Sequence, residues 1–387
     1  MKFMFDNPPT MMAEQTPDYS IPDSHLPFSD YITRCRTIIK ARRTDLQQAN
    51  ANLILDANSP FEFVPPHPIL ANKRLKYGVL LVHGLLDCPF SLKDLGAHLQ
   101  ANGILCRSLL LPGHGTKPED LLSVSFQDWI NTVAYGVRSL QKEVDYLYLA
   151  GYSTGAALSI YQALQNPAIS GIILLAPAIR IKVPINRVIA FHALKKWLHI
   201  NHDQWIYKID EEDYAKYLSL PFNAVNQVAA LTDALKNVSE QHTLACPMLM
   251  AVSLEDETIN SEKAVRFFSG SHHPDSKLLL YTRTPHTESD PRIINRLTQY
   301  PELNIRHFSH VSIPYTSNNP HYGQNGDYKY AAHRENKECI YGAYNRVESN
   351  GAKWLYQLGI MKNRYRQLTY NPDFEYMADE IRKFITR

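Results

Sequence analysis

The sequence predicts a parallel α/β fold, and three observations carry that expectation. Five short apolar runs recur along the chain: YGVLLVH (77–83), GILCRSLLL (103–111), DYLYLAGYS (145–153), GIILLAPAI (171–179) and PMLMAVS (247–253). None alternates polar with apolar residues, which is the pattern of strands covered on both faces. Between them lie segments of helical period, such as SLKDLGAHLQANG and SFQDWINTVAYGVRSLQ, so strands and helices alternate as a parallel sheet requires. Finally, 387 residues at 44% apolar and 20% charged can bury a large core.

Taken in order, residues 1–27 are rich in proline and polar groups and read as a surface arm. From Ser29 to Leu46, Ile32, Cys35 and Ile38/Ile39 recur at helical spacing behind a Ser/Asp start signal. The KARR cluster at 40–43 falls at the end of that helix and reads as a solvated face. Net charge is +2 with scattered basic residues, so nothing calls for a nucleic-acid partner. Apolar residues stop after Phe5, so no signal-peptide core is expected, and no later run approaches the ~20 apolar residues of a membrane span. Cys35, Cys88, Cys106, Cys246 and Cys339 form no CxxC pair. They suggest neither zinc nor a disulfide framework, and a cytoplasmic setting is expected.

Active sites of parallel sheets gather at the carboxyl ends of the strands. There, Gly151-Tyr152-Ser153-Thr154-Gly155 follows a strand and opens the helical AALSIYQALQ. A turn that lifts a serine hydroxyl above the sheet crowds the backbone, so its flanks must lack side chains. Ser153 is therefore the candidate nucleophile, at a helix start whose free N–H groups favour developing negative charge. LLVHGLLD places His83-Gly84 at the end of the first strong strand. The N–H groups of Leu85 and Thr154 are the candidate oxyanion hole, and His83 reads as a brace for the loop.

These residues carry a resemblance. LLVHGLLDCPFSLKDLGAHL, LLLPGHGTKPEDLLSVSFQDWINTV and LAGYSTGAALSIYQAL fall in the order and spacing of the α/β-hydrolases. The chain is similar in particular to the bacterial carboxylesterase and monoacylglycerol-lipase group. The likeness spans 75–180 well and 245–265 moderately. It implies a mostly parallel central sheet flanked by helices, with an inserted cap. The core would be 61–180 and 246–387, the cap 181–245, and residues 1–60 an arm and helix.

In this fold the chain order is Ser, then Asp or Glu, then His. PMLMAVSLEDETIN carries the acid. By the family's spacing Asp256 is the candidate, three residues after Ser253 and three before Ile259, with Glu255 and Glu257 read as solvated turn residues. Two histidines compete for the base. His286 in KLLLYTRTPHTES has the spacing of an uninserted member. His310 in LNIRHFSHVSIPY follows a strand-like run, has the small-His-aliphatic turn of the family, and requires an insertion of roughly two dozen residues between acid and base. Context favours His310. Whether His307 faces away depends on how regularly that run continues.

Phe191, Trp197, Leu198, Trp205 and Tyr207 would give the cap an apolar underside, or simply pack it down. The segment 315–348 is polar, dense in tyrosine and longer than the family needs; such loops are often functional, and this one could line the pocket mouth. Phe374, Met377, Ile381 and Phe384 mark a final helix on the sheet. The expected activity is hydrolysis of carboxylic esters by a serine hydrolase, through an acyl-enzyme, with no metal or cofactor. A peptidase or thioesterase of the same fold is the rival enzyme, and a non-catalytic binding protein the rival outside enzymes.

Overall fold

The computed structural model describes residues 19, 26–47, 49–71, 74–180, 204–284, 290–328, 339–343 and 364–387. The five apolar runs become strands. In chain order the strands are β1 (Glu62–Phe63), β2 (Leu70–Ala71), β3 (Arg74–Val82), β4 (Leu105–Leu109), β5 (Val144–Tyr152), β6 (Ile169–Leu175), β7 (Trp205–Tyr207), β8 (Leu220–Pro221), β9 (Met248–Ser253), β10 (Lys277–Thr282), β11 (Ile293–Leu297), β12 (Cys339–Gly342) and β13 (Arg364–Gln367). The main sheet runs β1-β4-β3-β5-β6-β9-β10-β11, with β2 paired to β3. β4 to β11 are parallel along that path, and only β1 and β2 run antiparallel to their neighbours.

Apolar residues fill both sides of these strands because both faces of the sheet are covered. Along β3, Leu80 and Val82 enter one core cluster, while Val79 and Leu81 enter the other. The first cluster takes α1 (Phe28–Arg42), then, beyond α2 (Ala51–Asn58) and α3 (Lys93–Ala101), the helices α4 (Phe126–Gln141), α5 (Thr154–Gln165), α6 (Phe222–Gln241) and α7 (Ser261–Ser269). The second takes α3 and the final helix α8 (Phe374–Ile385), which buries Phe374, Met377, Ile381 and Phe384. α4 begins with a capping box. The Ser125 hydroxyl accepts from the Asp128 N–H, and the Asp128 carboxylate accepts from the Ser125 N–H.

Three readings of the sequence need correction. The KARR arginines are not a solvated face. Arg42 pairs with the buried Asp120, and Arg43, 8% exposed, pairs with Asp45 at 2.7 Å. Both lie where the helix end meets the 116–120 turn, so partners in the fold replace water. LNIRHFSHVSIPY is not a strand either. Asn304 turns left-handed at φ 55°, Ile305 makes only isolated bridges, and His310–Ser312 is a short 3₁₀ turn. Glu255 and Glu257 are half-buried, with backbone and side-chain partners in the fold in place of water.

Candidate active site

Ser153 stands between β5 and α5 with φ 54° and ψ −114°, a left-handed conformation that L side chains rarely adopt. The strain is held by crowding on both sides. A Cβ on Gly151 would lie 2.3 Å from the Gly155 carbonyl oxygen, and one on Gly155 would lie 2.0 Å from that of Val82. Backbone bonds lock the turn from above, with Ser153 N–H donating to Leu175 C=O at 2.9 Å and Ala178 N–H to Ser153 C=O at 3.1 Å.

The structure brings Ser153, His310 and Asp256 together. His310 Nε2 lies 3.0 Å from Ser153 Oγ, and His310 Nδ1 lies 2.7 Å from Asp256 Oδ2. Asp256 is fully buried, and its Oδ1 accepts the Thr258 and Ile259 N–H groups at 2.8 and 2.9 Å. Burial lowers the His310 pKa, but the Asp256 charge and hydrogen bond outweigh it and raise the value above that of an ordinary imidazole. His286 falls outside the described residues.

The extra chain between acid and histidine is an additional edge strand. β11 pairs in parallel with β10, Leu278 opposite Ile293, and the 301–303 turn then leads back to the site. The His310 turn is fixed by groups distant in sequence. Its N–H donates to Glu257 Oε2 at 3.0 Å, and its carbonyl accepts the Tyr152 hydroxyl at 3.2 Å. Ser309 Oγ donates to Leu368 C=O at 2.6 Å, and Gln367 Nε2 to Glu257 Oε1 at 2.8 Å. Glu257 is thus a structural partner that sequence reasoning missed. Burial and then the Asp256 charge raise its pKa, with His310 opposing them. Glu255 likewise turns inward, accepting the Arg283 N–H at 3.1 Å. His307 is held elsewhere, accepting the Ala343 N–H at Nδ1.

Thr154 occupies the first helical position, where an amide has no intrahelical acceptor. Among the described residues the Leu85 N–H also meets no acceptor. The loop carrying Leu85 is braced by His83, as its position suggested. His83 Nε2 accepts the Leu111 N–H at 3.0 Å, so its proton sits on Nδ1 and is donated to Gly84 C=O at 2.8 Å. Burial, with His114 alongside, drives the His83 pKa well down and keeps the ring neutral. Beside this loop Asp87 is 3% exposed, with its Oδ1 lacking a hydrogen-bond partner and Lys216 Nζ at 3.7 Å. Burial raises the Asp87 pKa, partly offset by Lys216.

Of the expected cap aromatics, Phe191, Trp197 and Leu198 lie outside the described residues. Trp205 and Tyr207 sit in β7, where Tyr207 is exposed and Lys208 Nζ lies over the Trp205 ring. The first part of the tyrosine-rich excursion, 315–328, is packed, with Tyr315, His321 and Tyr322 buried. Among the described residues no cluster of His, Cys, Asp and Glu could hold a metal ion, and no helix is long and apolar enough to cross a membrane.

The chain is 28% identical over 246 residues to the thermostable monoacylglycerol lipase of Bacillus sp. (strain H-257), covering 60% of this chain and 96% of that one. It is 24% identical over 212 residues to the carboxylesterase of Bacillus subtilis (strain 168), covering 54% and 83%. The solved structure of the metagenome-derived lipolytic enzymes LipS and LipT matches at 23% identity and TM-score 0.49, covering 58% of this chain and 86% of that one. Residues 73–288 match the Hydrolase_4 family (serine aminopeptidase, S33). That match spans more than half of the chain, and the chain belongs to the Hydrolase_4 family of α/β-hydrolases.

Proposed function

We propose that this α/β-hydrolase cleaves carboxylic esters with Ser153 as nucleophile, His310 as general base and Asp256 as the residue that orients the imidazole. The observation that carries the reading is the His310 ring, hydrogen-bonded at one nitrogen to Ser153 Oγ and at the other to a fully buried carboxylate. Ser153 Oγ attacks the acyl carbonyl as His310 Nε2 takes its proton, and Asp256 stabilises the imidazolium. The Leu85 and Thr154 amides receive the oxyanion, each donor worth about 3 kcal/mol in the transition state. His310 then returns the proton to the leaving alcohol, and water releases the acid by the reverse sequence.

The named relatives, a monoacylglycerol lipase and a carboxylesterase, support an ester substrate with an acyl chain; a monoacylglycerol or a lysophospholipid is the class proposed. Residues 181–245 would form the cap over the serine and 1–60 an arm and helix on the core. All five cysteines are free and buried, in keeping with a reducing, cytoplasmic setting.

Hydrolysis of p-nitrophenyl esters of increasing acyl length, with Ser153→Ala as control, tests the reading. Turnover that rises with chain length and vanishes in the control is expected. Equal turnover in the control overturns it. The family description favours a second reading, cleavage of an aminoacyl peptide bond. Aminoacyl p-nitroanilides in the same assay separate the two.

A further inference from the structure

A second charged cluster lies behind the Leu85 loop. Residues 213–217 are an irregular turn that grips Gly84–Cys88 at three points. Tyr217 N–H donates to Leu86 C=O at 2.8 Å, Cys88 Sγ donates to Ala215 C=O at 3.1 Å, and Lys216 faces Asp87. The turn is itself shaped by Asp213, whose Oδ1 accepts the Ala215 N–H at 2.9 Å. The same buried carboxylate takes His321 Nε2 at 3.1 Å and the Tyr322 hydroxyl at 2.6 Å. His321 and Tyr322 are in turn anchored to α3. Both of their N–H groups donate to Asn319 Oδ1, and Asn319 Nδ2 donates to Asp94 Oδ2 at 2.8 Å.

His321 Nδ1 meets a second carboxylate, Asp327 Oδ1. Carboxylates only accept, and a neutral imidazole has one N–H, so both contacts are made only by the imidazolium. Burial favours the neutral ring, but Asp213 and Asp327 outweigh it and raise the His321 pKa. The groups facing the ring are Asp213 and Tyr214 from the turn, Asp327, Tyr322 and Tyr328 from its own segment, and the apolar Phe90.

We propose that Asp213 and His321 are positioning residues for ester hydrolysis: a carboxylate–imidazolium clamp holds residues 213–217 against Gly84–Cys88 and so keeps the Leu85 amide aimed at the oxyanion. This rests on the Ser153 reading above. The clamp is whole below the ordinary imidazole range and is lost as pH rises through the raised value of His321. Its loss therefore adds an alkaline decline to kcat, opposite in direction to the rise expected from deprotonating His310.

The test is steady-state hydrolysis of a p-nitrophenyl ester from pH 5.5 to 10, with thermal unfolding at each pH, for the wild type, His321→Gln and Asp327→Asn. His321→Gln should lower kcat about tenfold with KM nearly unchanged, a fraction of the loss for removing a whole oxyanion donor. It should also lack the alkaline decline, and its Tm deficit should shrink as pH rises. Asp327 is half exposed on its side chain, so Asp327→Asn keeps the fold even if His321→Gln does not. With one of the two anions gone, its decline should begin at lower pH than in the wild type, with the rate at pH 6 near wild type. A wild-type rate flat to pH 10, superimposable pH profiles, or a rise in KM alone overturns the positioning role. A Tm deficit constant with pH overturns the clamp and leaves the Ser153 reading standing. A Ser153→Ala protein that keeps the rate overturns that reading and the positioning role together.

Discussion

The serine half and the histidine half of the site are built by different physics. Ser153 is held by its own neighbours, where Gly151 and Gly155 let the backbone close and the strand β5 and helix α5 run out of the same ten residues. His310 has no such local frame. Its turn hangs on Glu257, Tyr152, Leu368 and, through Glu257, Gln367, contacts spanning 53 to 158 positions in the sequence. A short-range device survives insertions elsewhere, whereas a long-range one can be re-sited when the chain between its parts grows. β11 and the 301–303 turn are such growth, and they carry the histidine to Ser153 from beyond the sheet edge.

The largest expected effect sharpens that contrast. His310→Ala should lower kcat about 10⁴-fold or more, the usual consequence of losing the general base. His286→Ala, at the spacing of an uninserted chain, should leave the rate within about twofold of wild type. Esterase kinetics on both variants decide it. A large loss with His286→Ala and a small one with His310→Ala would mean that the base follows spacing and not context.

The serine half breaks differently, through the fold. Gly155→Ala would drive a methyl group to 2.0 Å from the Val82 carbonyl oxygen, and the closest contacts are all backbone, so nothing can swing aside. A loss above about 4 kcal/mol is expected, read as failure to yield folded protein or a large fall in Tm. Gly270→Ala is the control, since its new methyl would meet nothing closer than 3.5 Å and its φ is −75°. Its Tm should stay within a few degrees of wild type. An equal fall in both would show that the crowding argument has no special force at the elbow.

The same division explains what the sequence made legible. The strands β3 to β6 and β9, the helices α3 to α5 and α8, the elbow and the His83 brace each follow from residues within about ten positions, and the periodicity exposes them. Asp256 and His310 could be named from the short turns that surround them. Glu257 could not, because three adjacent acids look alike until the His310 amide and Gln367 select one of them. Nor could β11, whose half-buried IINRL lacks the continuous burial of the inner strands and is fixed only by pairing along the β10 edge. The same holds for Arg42, whose partner Asp120 lies 78 positions away.

The smallest expected effect probes the histidine half without removing a reacting group. Glu257→Gln keeps an oxygen to accept the His310 N–H but removes a negative charge that helps to raise the His310 pKa. The imidazole should then lose its proton at lower pH, and the acid limb of kcat/KM should move to lower pH, the direction expected when an anion beside a base is lost. On the plateau above the acid limb, where His310 has lost its proton, kcat should fall only a few-fold, because a neutral acceptor holds the turn less firmly than a charged one. A pH–rate profile of the two proteins measures both effects. If the acid limb stays in place while kcat drops by orders of magnitude, Glu257 acts through geometry alone, and the histidine half is more fragile than its distributed contacts imply. If the limb moves and the rate holds, the turn tolerates the loss of one distant partner, as a structure anchored at several points should.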